Sequence, residues 1–152
     1  MTDLILAIAH HILLVAIVAT LFAELTVVRS GISPAWVQRI GRIDGLFGTA
    51  AGLILVIGFL RVFIGAMPES FYLRNPFFWA KIGAFAAVAI LSIRPTIAIA
   101  AWNRQLRADP AFVPPPAEIG RIRRFIVWEA AIFFLIPTFA AVMARGYGLP
   151  GQ

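Results

Sequence analysis

Four long apolar stretches, divided by short polar ones, set the pattern of this chain. They run about 4–28, 43–66, 77–102 and 119–145. Each can cross a bilayer as a helix, for which ~20 mostly apolar residues suffice. The pattern predicts an all-α fold, a four-helix transmembrane bundle, forming a single integral membrane domain over 1–152. Met1–Asp3 carries no basic residue, so the first stretch reads as a retained helix and not a cleaved signal. The segment 29–42 reads as a loop, and Met67–Asn75 as a second loop closed by the Asn75-Pro76 turn. Asn103–Ala117 reads as a polar connection stiffened by Pro114-Pro115-Pro116, and 146–152 as a frayed tail. Within the spans, Gly48 and Gly52 predict close packing inside the bundle, in preference to a dimer face, and Pro95 predicts a kink.

Ionisable groups inside such spans are costly and by default mark functional sites. The first span carries His10 and His11 near one end and Glu24 near the other. His10 and Glu24 lie within ~40° of one another around the helix and ~21 Å apart along it. One face thus holds an imidazole near one membrane surface and a carboxylate near the other. Because the chain reverses at each connection, the remaining groups sort onto the same two levels. His10, His11, Arg61, Lys81 and Arg145 belong to the first; Glu24, Asp44, Arg94 and Glu129 belong to the second.

Composition narrows the reading. The chain is 61% hydrophobic and 13% charged, which fits a membrane protein and not a soluble core. It has no cysteine, which excludes disulfides, thiolate metal sites and a cysteine nucleophile. The net charge of +6 sits mostly in arginines of short loops, which points to membrane orientation and anionic headgroups and not to nucleic acid. Arg29, Arg39 and Arg42, and then Arg104, Arg107, Arg121, Arg123 and Arg124, lie on one side. The positive-inside rule makes that side cytoplasmic and both termini non-cytoplasmic, in a bacterial inner membrane. Trp36 and Trp102 fit the inner aromatic belt; Tyr72, Trp79 and Tyr147 fit the outer one. No nucleophile elbow, phosphate loop or zinc spacing is present.

The two levels invite different chemistry. At the inner level, Arg94 is expected to form a buried ion-pair layer with Glu24, Asp44 and Glu129; a proton or cation path is the alternative. At the outer level no acid lies within the spans. Arg61 and Lys81 either snorkel to the headgroups or hold an anionic ligand. Haem b fits that inventory, with His10 as iron ligand and Arg61 and Lys81 as propionate partners. Adjacent helical residues point ~100° apart, so only one histidine faces inward. His10 shares the Glu24 face and is the expected ligand. Met143, Lys81 or another chain would fill the sixth position, or it would stay open.

The chain resembles an uncharacterised bacterial family of four-helix inner-membrane proteins. The resemblance rests on Ala9-His10-His11, Leu21-Phe22-Ala23-Glu24, Gly58-Phe59-Leu60-Arg61-Val62-Phe63, Asn75-Pro76-Phe77-Phe78-Trp79-Ala80-Lys81, Arg94-Pro95-Thr96 and Met143-Ala144-Arg145-Gly146. More distantly, the layout is similar to the HemJ-type protoporphyrinogen oxidases and the CopD-type membrane proteins. His10, the Trp79–Lys81 pair and the Arg124, Phe125, Glu129 run carry the HemJ likeness. That likeness implies haem b. The aromatic Leu-Pro-Arg segment of the oxidases is replaced here by Leu21-Phe22-Ala23-Glu24, so the likeness extends to the cofactor and not to the oxidase activity. The leading expectation is a haem b-binding membrane protein with a redox or porphyrin-related role, which would make it a haem-dependent membrane oxidoreductase. The alternatives are a small ion- or proton-handling permease and an accessory subunit of a larger membrane complex. Expected partners are the lipid bilayer and either a second copy or a larger complex.

Overall fold

The computed structural model describes residues 1–29 and 32–148. Residues 30–31 and 149–152, and with them the end of the expected tail, lie outside the described residues. Six helices follow one another: α1 Thr2–Val27, α2 Pro34–Ile64, α3 Glu69–Leu73, α4 Pro76–Ala108, α5 Pro116–Phe133 and α6 Leu135–Ala144. α1, α2, α4 and the α5–α6 pair are the four long apolar spans, and α3 is a single turn in the second connection.

The spans overshoot the apolar stretches. Pro34 opens α2, where its fixed φ suits a first helical turn and its missing N–H goes unneeded. Trp36, Arg39 and Arg42 are therefore helical and not in a loop. Apolar patterning stops where lipid stops; backbone hydrogen bonding does not. With 31 and 33 residues, α2 and α4 are ~46 and ~50 Å long, against a hydrocarbon core of ~30 Å. Both project at the arginine-rich end.

The helices form a ring in which α1 packs on α2, α2 on α4, α4 on α5 and α6, and α5 back on α1. Between lipid-facing helices no hydrophobic drive exists, so close van der Waals fit must hold the ring. α1 contributes Ile17, Leu21, Glu24 and Val28 at spacings of 4, 3 and 4, all nearly inaccessible. They meet Phe47, Ala50 and Ile54 of α2, Val88 and Ile99 of α4, and Ile122, Ile126 and Phe133 of α5. A smaller cluster of Val62, Phe78 and Met143 packs at the opposite, histidine end.

Proline acts differently at two places. α4 runs through Pro95 as one helix. In the fourth span the helical hydrogen bonding is interrupted at one residue, Phe134, which keeps helical dihedrals (φ −63°, ψ −20°), so Pro116–Ala144 still runs as one span; Pro137 lacks the N–H that would meet the Phe133 carbonyl. α5 packs on α1 and α4, while α6, its continuation, packs on α4 among the described residues.

Several expectations need correction. Gly48 and Gly52 face outward, with nothing near their missing Cβ atoms, because Phe47, Ala50 and Ile54 already fill the inward face. Trp102 is no belt residue; it is buried and its indole N–H donates to Glu118 Oε1 at 3.0 Å. The tail start is docked: Asn75, fully buried, donates from Nδ2 to Tyr147 O and accepts from Phe77 N, each at 2.9 Å. Gly148, at φ 84°, touches this hub where a Cβ would sit 3.0 Å from Asn75 Oδ1. Arg123, exposed at the arginine-rich end, also donates to the Leu25 and Val28 carbonyls and so closes the C-terminus of α1.

Candidate functional site

At the histidine end, three spans bring His10, Arg61 and Lys81 to one cavity of about 510 Å³. α1 supplies His10 and Leu14; α2 supplies Gly58, Arg61 and Val62; α4 supplies Lys81. The far wall is α6, with Pro137 and the buried Met143. The cavity lies between α1 and α6, whose backbones stay apart among the described residues. A narrower apolar pocket of about 70 Å³ continues from His10 and Lys81 inward to Ile54, Phe85 and Phe133.

Both histidines line this cavity, and His10 is the more enclosed of the two. The His10 ring lies beside Gly58, where a Cβ would stand 3.6 Å from its Cε1. Its Nδ1 is buried and has no hydrogen-bond partner. His11 is exposed, and its Nδ1 sits 2.7 Å from the Ala7 carbonyl of its own helix. Arg61 Nε is also buried without a partner, and Lys81 Nζ lies 5.2 Å over the Phe78 ring. The lining holds no carboxylate. Arg145, assigned to the same level, is exposed and lies outside this lining.

At the other level Glu24, Asp44 and Glu129 share one electrostatic neighbourhood. Glu24 and Glu129 are 1% and 0% exposed, and Glu24 Oε1 and both Glu129 oxygens have no hydrogen-bond partner. Asp44 Oδ1 accepts from Thr96 Oγ1 at 2.8 Å. Arg94 is the correction. It lies on the exposed face of α4, while the neighbouring Pro95 turns inward with Ile99 and Trp102. The expected ion pair is missing, because Arg94 and the glutamates occupy different faces. At this level α4 presents Thr96 to an acid, and its signal in the sequence was only its place in Arg94-Pro95-Thr96. Gly58 was likewise legible only as part of the stretch before Arg61. Among the described residues, no group of three or more His, Asp or Glu side chains could hold a metal ion.

Four long apolar helices and two polar levels within them define a multi-pass α-helical membrane protein. The family model described as Predicted membrane protein (DUF2214) matches residues 2–148, and the chain belongs to that family. No curated protein and no solved structure matches it.

Proposed function

We propose that the protein binds haem b in the cavity at the histidine end, where His10 would hold the iron. The supporting observation is the unpartnered buried imidazole of His10, set beside the cations of Arg61 and Lys81 in a lining without acids. The likeness to HemJ-type proteins supports the same cofactor. The donor set fits the group: an imidazole for iron, two cations for propionates, and apolar walls from Leu14, Val62 and Ile136. The volume lies within the ~300–1,000 Å³ usual for ligand pockets. Bound there, haem b would supply one-electron redox chemistry. The chain's own part is to orient the imidazole, neutralise the carboxylates and keep lipid from the bound face. Met143 stands on the far wall as a second ligand candidate. We place the protein in a bacterial inner membrane as one integral domain with both termini outside the cytoplasm, on the arginine imbalance.

An absorption spectrum of protein purified from haem-sufficient cells tests this reading. A Soret band is expected, with weaker haem retention in Arg61→Ala and Lys81→Ala. Protein that stays colourless after haem loading overturns it and leaves Arg61 and Lys81 as snorkelling anchors.

A second reading, proton or cation handling at the carboxylate level, draws on the unpartnered oxygens of Glu24 and Glu129. Against flux through the whole bilayer stand Ile17 and Leu21, which fill the His10–Glu24 face between the two levels. Proton flux into proteoliposomes that Glu129→Gln abolishes would favour it.

A further inference from the structure

The overshoot of α2 and α4 creates a second site, independent of the histidine cavity. Where the start of α2 meets the end of α4, a cleft of about 880 Å³ opens at the arginine-rich end. Arg42 enters it from α2, and Arg104 and Arg107, one turn apart, enter it from α4. All three are exposed. Asp44, at the deep end, accepts from Thr96 and makes no ion pair with these guanidiniums. Gln38 adds an amide at the mouth.

The floor of the cleft is fixed. Asn103 Nδ2 donates to Val37 O at 3.1 Å and to Ile99 O at 2.9 Å, tying the two helices together. Gly41 permits that approach, since a Cβ there would stand 2.6 Å from the same nitrogen. Below the arginines the wall turns apolar, with Ile97 and Ala100 on the deeper turns of α4.

We infer that this cleft binds an anionic phospholipid, its phosphate held by Arg42, Arg104 and Arg107 and its glycerol and upper acyl region against Ile97 and Ala100. Three features point there. Guanidinium forks match phosphate oxygens in a way that ammonium groups do not, and all three cations here are arginines. Basic pockets between transmembrane helices at the membrane surface suit anionic headgroups. A soluble phosphate would use the mouth and leave the apolar lower wall idle, whereas an amphiphile uses both.

The test compares mixed micelles of phosphatidylcholine with and without phosphatidylglycerol, reading lipid retained on the purified protein by native mass spectrometry. Phosphatidylglycerol should be retained preferentially. Arg42→Gln, Arg104→Gln and Arg107→Gln should each weaken retention roughly fivefold, from the usual contribution of one basic residue near a membrane surface. Arg121→Gln, on the same end but outside the cleft, should not. Ala100→Trp keeps every charge and fills the lower wall, so it should also lower retention while the protein stays helical and monodisperse. Equal losses in Arg121→Gln and the cleft variants would show diffuse surface charge and overturn the site. Displacement of the lipid by stoichiometric inorganic phosphate, or undiminished retention in Ala100→Trp, would overturn the lipid assignment.

Discussion

At the histidine level, a cavity of about 510 Å³ surrounds His10, Arg61 and Lys81, and a Cβ added at Gly58 would meet the imidazole only at 3.6 Å. At the carboxylate level, Glu24 and Glu129 are wholly enclosed; on α2, a Cβ added at Gly41, on the floor of the arginine cleft, would stand 2.6 Å from Asn103. Both levels carry polar groups without partners, but those of the histidine level line a cavity, whereas Glu24 and Glu129 are enclosed. The difference traces to the fourth span. α5 runs close against α1, whereas past Phe134 the span leans to α4. Unpartnered groups beside space point to a ligand. Unpartnered groups in a packed core point to a penalty kept for another reason, or to protonated acids.

The sharpest contrast lies within the histidine level itself. His10→Ala should abolish the Soret band completely, since it removes the imidazole that faces the cavity. His11→Ala should leave it intact, because that ring is exposed and held at the Ala7 carbonyl. Bleaching by His11→Ala alone would keep the cofactor and reverse the faces.

The next largest effect belongs to the packed level. An unmet buried polar group costs roughly 1–3 kcal/mol, and more if charged. Glu129 has two unmet oxygens and no exposure. Glu129→Leu should therefore raise thermal stability in detergent by at least that order. A loss of stability instead would mean that a cation or a second subunit partners the carboxylate in the intact protein.

Much of this was legible in the sequence. Span number and all-α class followed from length and apolar content, which depend on nothing beyond the chain. Arg94 was not legible, because depth along a span says nothing about which face a side chain takes. Pro34, at a helix start, extended α2 beyond its apolar stretch, and hydropathy cannot see a helix that continues into the headgroups. The two interior prolines show the same limit: Pro95 and Pro137 look alike in sequence, yet only the second coincides with an interruption of the helical hydrogen bonding.

One substitution made at the floor of the arginine cleft and at the histidine level measures the difference in room directly. Gly41→Ala forces Asn103 to move, loosening its bonds to the Val37 and Ile99 carbonyls. Overpacking of this kind costs roughly 1–3 kcal/mol. Gly58→Ala meets ordinary contact distance and removes a flexible helical glycine, so stability should rise slightly or hold, by about 1 kcal/mol at most. Thermal melts of the two variants side by side decide it; equal destabilisation would mean the histidine level is as tightly packed as the cleft floor.

The smallest effect is expected at Arg94. Were it buried in an ion-pair layer, Arg94→Leu would strip partners from the carboxylates and cost roughly 3–5 kcal/mol. It is exposed on α4, however, with its neighbour Pro95 filling the inward face. The guanidinium can run along the helix surface toward the arginine-rich end, as long basic side chains do. Leucine at that site keeps helix propensity and adds an apolar group to an already apolar surface. Thermal stability in detergent should then shift by only about 0.5 kcal/mol, the range of substitutions away from packed features. A loss of several kcal/mol would show that Arg94 does meet a carboxylate. If Glu129→Leu restored that loss, the carboxylate would be Glu129, and the packed level would be an ion pair after all.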